Sequence, residues 1–182
     1  MKKLIIIDGN AILHRAYHAL PPLNAPDGKP IQAVYGFFSM LLTILIDQKP
    51  DYIMVCFDRP KPTFRQTLYA GYHEHRPKIA DEFVSQITTV HEIVEQMQIP
   101  IFELDGYEAD DLIGTISNQK EIKDVQTFIV SGDRDLLQLV TEHVWILAPI
   151  VGLKTLTVYD AAKIKEKYGV TPSQFIDYKA LI

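Results

Sequence analysis

A chain of 182 residues, 47% of them hydrophobic, is long enough to bury a substantial core and short enough that a single domain is expected. A formal net charge of −5 excludes a protein that attracts polyanions with its whole surface, so any contact with nucleic acid must come from a local patch. The single cysteine, Cys56 in the apolar run YIMVCF, excludes an internal disulfide, and Asp8 breaks the N-terminal run MKKLIIIDGN well short of a signal peptide or a membrane span. These features predict a soluble cytoplasmic protein with no membrane partner.

Leu4 to Ile7 is an aliphatic run closed by Asp8-Gly9-Asn10, which reads as a buried strand entering a turn. Ile31 to Ile46 is apolar nearly all round and predicts a largely buried helix. Tyr52 to Phe57 repeats the strand pattern and ends in Asp58-Arg59-Pro60, which makes a βαβ unit. Asp81 to Met97 places Phe83, Val84, Ile87, Val90, Val94 and Met97 at helical spacing, and Pro100 to Leu104 reads as the next strand. A helix opened at Tyr107 or Glu108 continues through Leu112 to Ser117, and the β-branched strand Thr127 to Ser131 ends in Gly132-Asp133-Arg134-Asp135. Val144 to Leu147 and Leu156 to Val158 predict a late hairpin or edge pair. Asp160 to Tyr168 and Pro172 to Leu181 read as helices, the second with Thr171 as N-cap and Pro172 at its first position. Alternating strands and helices without internal repeats predict an α/β fold, with a mostly parallel central sheet and helices on both faces.

Asp8, Asp58 and Asp133 each follow the C-terminal end of an aliphatic strand, the edge at which open parallel sheets bind ligands. The stretch GYEADD adds Glu108, Asp110 and Asp111 at a helix start, and Asp135 brings the set to seven acids. On a helix Glu108 and Asp111 share a face while Asp110 lies well round from Glu108, so all three converge only on a target near the helix N-terminus. Gathered in one crevice, these carboxylates would repel strongly and raise one another's pKa values unless a cation neutralised them. All-oxygen ligands with no cysteine or histidine among them point to hard ions, Mg²⁺ or Mn²⁺, and acids spread over several strands can hold two of them. The competing reading makes the same acids helix-dipole and turn residues, where each contributes about 0.3 to 1 kcal/mol.

Residues 59 to 78, RPKPTFRQTLYAGYHEHRPK, set Arg59, Lys61, Arg65, Arg76 and Lys78 against one acid, Glu74, with Phe64, Tyr69 and Tyr72 interleaved. Cations can follow a phosphate backbone and aromatic faces can stack on unpaired bases, which predicts a single-strand contact segment beside Asp58; a solvated surface loop and helix is the alternative. Arg15, one to two turns into the helix after Asp8, is placed to reach a phosphate. His14 and His18 lack the intervening Glu of a zincin pair, Gly152-Leu153-Lys154-Thr155 lacks the upstream glycine of a P-loop, and neither GxGxxG nor GxSxG occurs.

IIIDGNAILHRAYHALPP, QAVYGF, VCFDRPKPTFRQTLYAGYHEHRP, GYEADDLIGT, VSGDRDLLQLV and KYGVTPSQFIDYKALI, in this order and at these distances, resemble the 5′ nuclease (5′-3′ exonuclease) domain of bacterial DNA polymerase I, a relative of the flap endonucleases. The resemblance spans the chain and implies a PIN-like domain over residues 1–182, with an arch segment at about 59–80. It implies a two-metal hydrolase that removes nucleotides or flaps, RNA primers included, from the 5′ ends of DNA in replication and repair, as a monomer with a fused or associated polymerase domain. It assigns Asp8, Asp58, Glu108 and Asp110 chiefly to one ion, Asp133 and Asp135 to the other, and Asp111 to the shared acidic shell. Arg15, Tyr72 and Arg76 match phosphate and substrate contacts, and Arg65 matches less closely. Tyr72-His73 stands where the family usually has Tyr-Lys, so a group titrating near neutrality replaces a permanent cation. The family continues past ALI with a Gly-Asp-x-Ser-Asp-Asn stretch and a helix-hairpin-helix-like element, so a weak second metal position and slow or absent cleavage are expected of this chain. A PIN-type ribonuclease and a non-catalytic module that binds DNA structures are the alternatives.

Overall fold

The computed structural model describes residues 1–69, 71–72, 80–119, 124–151 and 155–182. A six-stranded sheet organises them, made of β1 (Lys2–Asp8), β2 (Tyr52–Cys56), β3 (Ile101–Phe102), β4 (Val125–Val130), β5 (Val144–Val151) and β6 (Thr155–Tyr159) in the order β3-β2-β1-β4-β5-β6. The first five run parallel, and β6 returns antiparallel along β5 as the edge. Seven helices join them: α1 (Gly9–Ala19), α2 (Gln32–Gln48), α3 (Phe64–Leu68), α4 (Asp81–Gln96), α5 (Ala109–Ser117), α6 (Ala161–Tyr168) and α7 (Phe175–Ala180). This is the expected mixed α/β architecture with a mostly parallel sheet.

The aliphatic run of β1 is explained by its central place, because a strand covered on both faces has no polar side. Its alternate residues enter two cores. Ile5 and Ile7, with Val55, Phe128 and Val130, pack against Leu13 of α1, Phe37 and Met40 of α2 and Val90 of α4. Leu4 and Ile6, with Cys56 and Ile129, pack against Ile113 of α5, Leu136 and Leu137, and Ile164 and Phe175 of the C-terminal helices. The register Ile7 with Val130 and Asp8 with Cys56 aligns the C-terminal ends of β4, β1 and β2 at one rim of the sheet.

Several local expectations change. Asp8-Gly9-Asn10 is not a turn: Asp8 ends β1 and caps α1 directly, its carboxylate accepting the Ala11 N–H at 3.0 Å. Gly9 permits this, since a Cβ there would fall 2.2 Å from the ring of buried Phe57. α2 buries one face only; Tyr35, Leu42 and Ile46 are exposed, because its packing against α1 and α4 leaves the far side to solvent. Its N-terminus, lacking a capping side chain of its own, is served by buried Gln86 of α4, which accepts the Ala33 N–H at 2.8 Å. The expected helix from Pro172 divides into a 3-10 turn, Pro172–Gln174, and α7, since the Thr171/Gln174 capping box closes the first turn. β3 keeps only two residues of the five expected, and the late hairpin is β5-β6. Among the described residues no helix is long and apolar enough to cross a membrane.

Candidate active site

Asp8, Asp58, Glu108, Asp110 and Asp133 line one cavity of about 280 Å³ at the sheet's C-terminal rim. Glu108 and Asp110 also line an adjoining depression with Asp111 and Asp135, so the seven acids expected to meet occupy two connected recesses. The adjacency of β2, β1 and β4 is the cause, because it places three strand ends side by side.

Asp8, Asp58, Glu108, Asp111 and Asp133 are held by backbone or hydroxyl donors. Besides capping α1, Asp8 accepts the Ser131 hydroxyl at 2.7 Å, and Ser131 Oγ in turn accepts the Asp133 N–H at 2.9 Å. Asp58 Oδ1 accepts the Ala109 N–H at 2.7 Å, so an acid from the loop after β2 sits on the first residue of α5. The Asp58 N–H itself donates to Asn10 Oδ1 at 3.0 Å. Glu108 and Asp111 form a reciprocal capping box at the start of α5. Helix N-termini therefore bear much of this negative charge, and the helix-dipole reading and the metal reading describe the same side chains. Ser131 and Asn10 escaped the sequence reasoning. The signal available was a small polar residue two positions from Asp133 in VSGD and from Asp8 in DGN.

Electrostatics single out two positions. Asp110 is pushed up to about 8, first by burial and then by Asp8, Asp133, Asp58 and Glu108. Asp8 is pushed up to about 6, chiefly by burial, although its hydrogen bonds to Ser131 and Ala11 oppose the rise. Burial and the same two carboxylates push the Cys56 thiol up to about 12, so it lies under the site as a protonated, packed side chain.

Arg59, Lys61, Arg65 and Tyr72 of the basic segment meet acids. Arg65 in α3 clamps Asp111 with both guanidinium nitrogens at 2.7 Å and reaches Glu108 at 3.3 Å, which holds the Asp111 carboxyl below its ordinary range. Tyr72 donates to Glu108 Oε2 at 3.2 Å. Arg59 and Lys61 both pair with Asp105, at 3.0 and 2.5 Å. As placed, these cations brace the loops around the acids rather than offering an open phosphate track. Asp135 is paired with Lys179 of α7 at 2.7 Å. Arg15 borders Gly132 and Asp133. His73, Arg76 and Lys78 lie outside the described residues.

Among the described residues no three histidine, cysteine or acidic side chains form a closed ligand set around one point. An open, acid-lined recess of oxygen donors nevertheless fits a hydrated hard cation, since Mg²⁺ keeps several waters and takes one or two protein carboxylates. The raised Asp110 and Asp8 carboxyls mark where a divalent charge would relieve most repulsion.

A family model described as 5′-3′ exonuclease, N-terminal resolvase-like domain, matches residues 3–169. The chain belongs to this family. Among family relatives, a 5′-3′ exonuclease of Aquifex aeolicus is 40% identical over 182 residues, covering 100% of this chain and 62% of the relative. A DNA polymerase I of Bacillus subtilis is 39% identical over 181 residues, covering 100% of this chain and 21% of the relative. The chain thus spans between about a fifth and three fifths of the length of these two family relatives. The fold is shared with a bacteriophage T5 flap endonuclease in a pseudo-enzyme-product complex with DNA and metal ions, at TM-score 0.74 and 20% identity, covering 98% of this chain and 65% of that one. It is equally shared with a T5 5′-exonuclease carrying divalent zinc ions, at TM-score 0.74 and 20% identity, covering 98% and 66%.

Proposed function

We propose that this chain is the nuclease core of a divalent-metal-dependent 5′-3′ exonuclease or flap endonuclease that hydrolyses phosphodiester bonds at the 5′ ends of DNA. The observation that carries the reading is the cavity in which Asp8, Asp58, Glu108, Asp110 and Asp133 meet from three strand ends and a helix start, with Asp110 pushed up to about 8. Asp8, Asp58, Glu108 and Asp110 would hold one ion, directly or through its waters, and Asp133 with Asp135 the second, Mg²⁺ or Mn²⁺ being the ions this donor set favours. When bound, such ions supply positive charge to the reacting phosphate oxygens and make water a stronger nucleophile.

The protein's own groups prepare that site. Ser131 and the Ala11 N–H orient Asp8, while the Ala109 N–H orients Asp58. Arg65 holds Asp111 in the capping box and so fixes the start of α5, from which Glu108 and Asp110 project. We assign it a positioning role in place of the DNA contact suggested by sequence. Arg15 and Tyr72 border the cavities as phosphate contacts, and His73 and Arg76 join them on sequence grounds. Asp135 is held by Lys179, so an ion there competes with that pair and the second position is the weaker. The substrate is DNA with a 5′ single-stranded end or flap, and the polymerase I relatives suggest a polymerase domain as fused or associated partner.

The decisive measurement is cleavage of a 5′-labelled DNA flap beside a matched single-stranded RNA, with Mg²⁺, Mn²⁺ or chelator, by this chain and by Asp110→Ala. Flap cleavage that requires a divalent ion and is lost in Asp110→Ala is expected. Preferential cleavage of the RNA would favour a PIN-type ribonuclease, and flap binding without turnover in any ion would leave a DNA-structure-binding module.

A further inference from the structure

The loop after β4 sorts its charges by side. Asp133 faces the acid-lined cavity and Asp135 the adjoining acidic recess, whereas Arg134, between them in sequence, lines neither. It lines instead an open groove of about 710 Å³ beside α1 and a smaller cavity of about 210 Å³ under the end of the sheet. Asp133 borders the acid-lined cavity and both of these, so the three form one continuous trough. Among the described residues Asp133 is the single carboxylate lining the groove and the smaller cavity, while Arg15, Arg134, Lys167 and Lys179 contribute cations.

Two of these cations stand ready for an anion. Among the described residues no carboxylate lies within salt-bridge distance of the Arg134 guanidinium, in contrast to Arg59, Lys61 and Arg65 across the site. Lys167 of α6 is steadied by the Tyr159 hydroxyl at 2.5 Å and lies 5.0 and 5.4 Å from the Tyr159 and Tyr168 ring centres. An ammonium has three donors, so anchoring by Tyr159 and Tyr168 leaves one for a ligand while removing much of the freedom a lysine loses on binding. Gly132 between them leaves the floor open: an added Cβ would meet only Arg15 Nη1, at 3.9 Å.

We propose that Arg134 and Lys167, with Arg15, form a backbone-phosphate subsite that carries the nucleic acid away from the cleaved bond, on the flank of the site opposite α3. This rests on the function proposed above and extends it to a second flank. A chain of net charge −5 can grip a polyanion only where cations are gathered, and the trough gathers them next to the acids that would meet the reacting phosphate.

The test is fluorescence-anisotropy binding of a 5′-flap DNA duplex in Ca²⁺ buffer across a salt series, with cleavage followed in parallel on gels. It compares the unaltered chain, Arg134→Ala, Lys167→Ala and, as control, Lys165→Ala. Lys165 has the same charge and lies on the same helix, about 200° round from Lys167 and lining none of these cavities. Arg134→Ala and Lys167→Ala are expected to weaken binding roughly five- to tenfold and to lower the slope of log K against log salt by about 0.9 each, as loss of one phosphate contact requires. Lys165→Ala should change neither. Equal effects in all three variants would show a response to net charge alone and overturn the subsite, as would no effect in any. If the unaltered chain neither binds nor cleaves the flap, the proposed function fails and the subsite with it.

Discussion

Asp110 carries the sharpest consequence at the level of single residues. Its folded-state pKa, raised to about 8 by burial and neighbouring carboxylates, exceeds its value of 3.8 in an unfolded chain. The stability it contributes is therefore fully present below pH about 4 and is lost as pH rises through about 8. Asp8 loses its share over the lower window that ends near 6. Without divalent ions, Asp110→Asn should melt several degrees above the unaltered chain at pH about 8, by a few kcal/mol at most, and the gap should close toward pH about 4. Thermal melts in chelator across this range would show it, and a variant that melts lower at pH about 8 would contradict the crowding of charge inferred here. The same substitution is expected to abolish cleavage, because a residue strained by its neighbours in the free protein is the one a bound cation would need.

Between elements, contacts from outside a helix decide how it begins. α1 starts without a connecting turn only because Gly9 lets the chain pass under Phe57. Gly9→Ala should cost about 1 to 3 kcal/mol in chemical denaturation, the usual cost of forcing a methyl group into a packed core. α5 starts where Asp58, from a loop 51 residues earlier, receives its first N–H, and where Arg65 of α3 holds Asp111. Arg65→Ala should lower the cleavage rate by on the order of tenfold, and Arg65→Lys should restore little of it, since an ammonium cannot reproduce the two-pronged grip on one carboxylate. Single-turnover rates would decide this; full rescue by lysine would mean that charge alone suffices. The buried, raised Cys56 should resist thiol reagents in the folded protein and react only on unfolding.

Across the whole molecule, seven acids concentrated at one rim should make the fold sensitive to divalent cations. Ions at about 100 times their Kd should stabilise the protein by about 2.7 kcal/mol per site, which for a chain of this size is roughly 5 to 10 °C in melting temperature. The gain should be larger at pH about 8 than near 5, because protons and metal compete for Asp8 and Asp110. Calorimetry with Mg²⁺ and with chelator measures it, and an ion-independent melting curve would argue against a metal site.

The sequence by itself determined the alternation of strands and helices, the parallel sheet and the acids at its rim. Aliphatic runs of strand length that end in Asp carry that information locally: a run without a polar face must be covered on both sides, and the residue that ends it must sit at the sheet's edge. Asp8 and Asp58 are legible in this way, as is GYEADD at a helix start. What only the tertiary structure decided is which charges meet. Residues 59 to 65 read as a phosphate track, yet Asp105 and Asp111 take Arg59, Lys61 and Arg65, partners about 40 to 50 residues away in sequence. Arg134 reads as one charge in an acidic loop, yet the fold turns it away from both flanking acids into a trough with Lys167. Ser131, hidden at a strand end, links Asp8 to Asp133 only because β1 and β4 are neighbours. Side-chain pairing over such distances is set by strand order and register, and neither is written in the local pattern of residues.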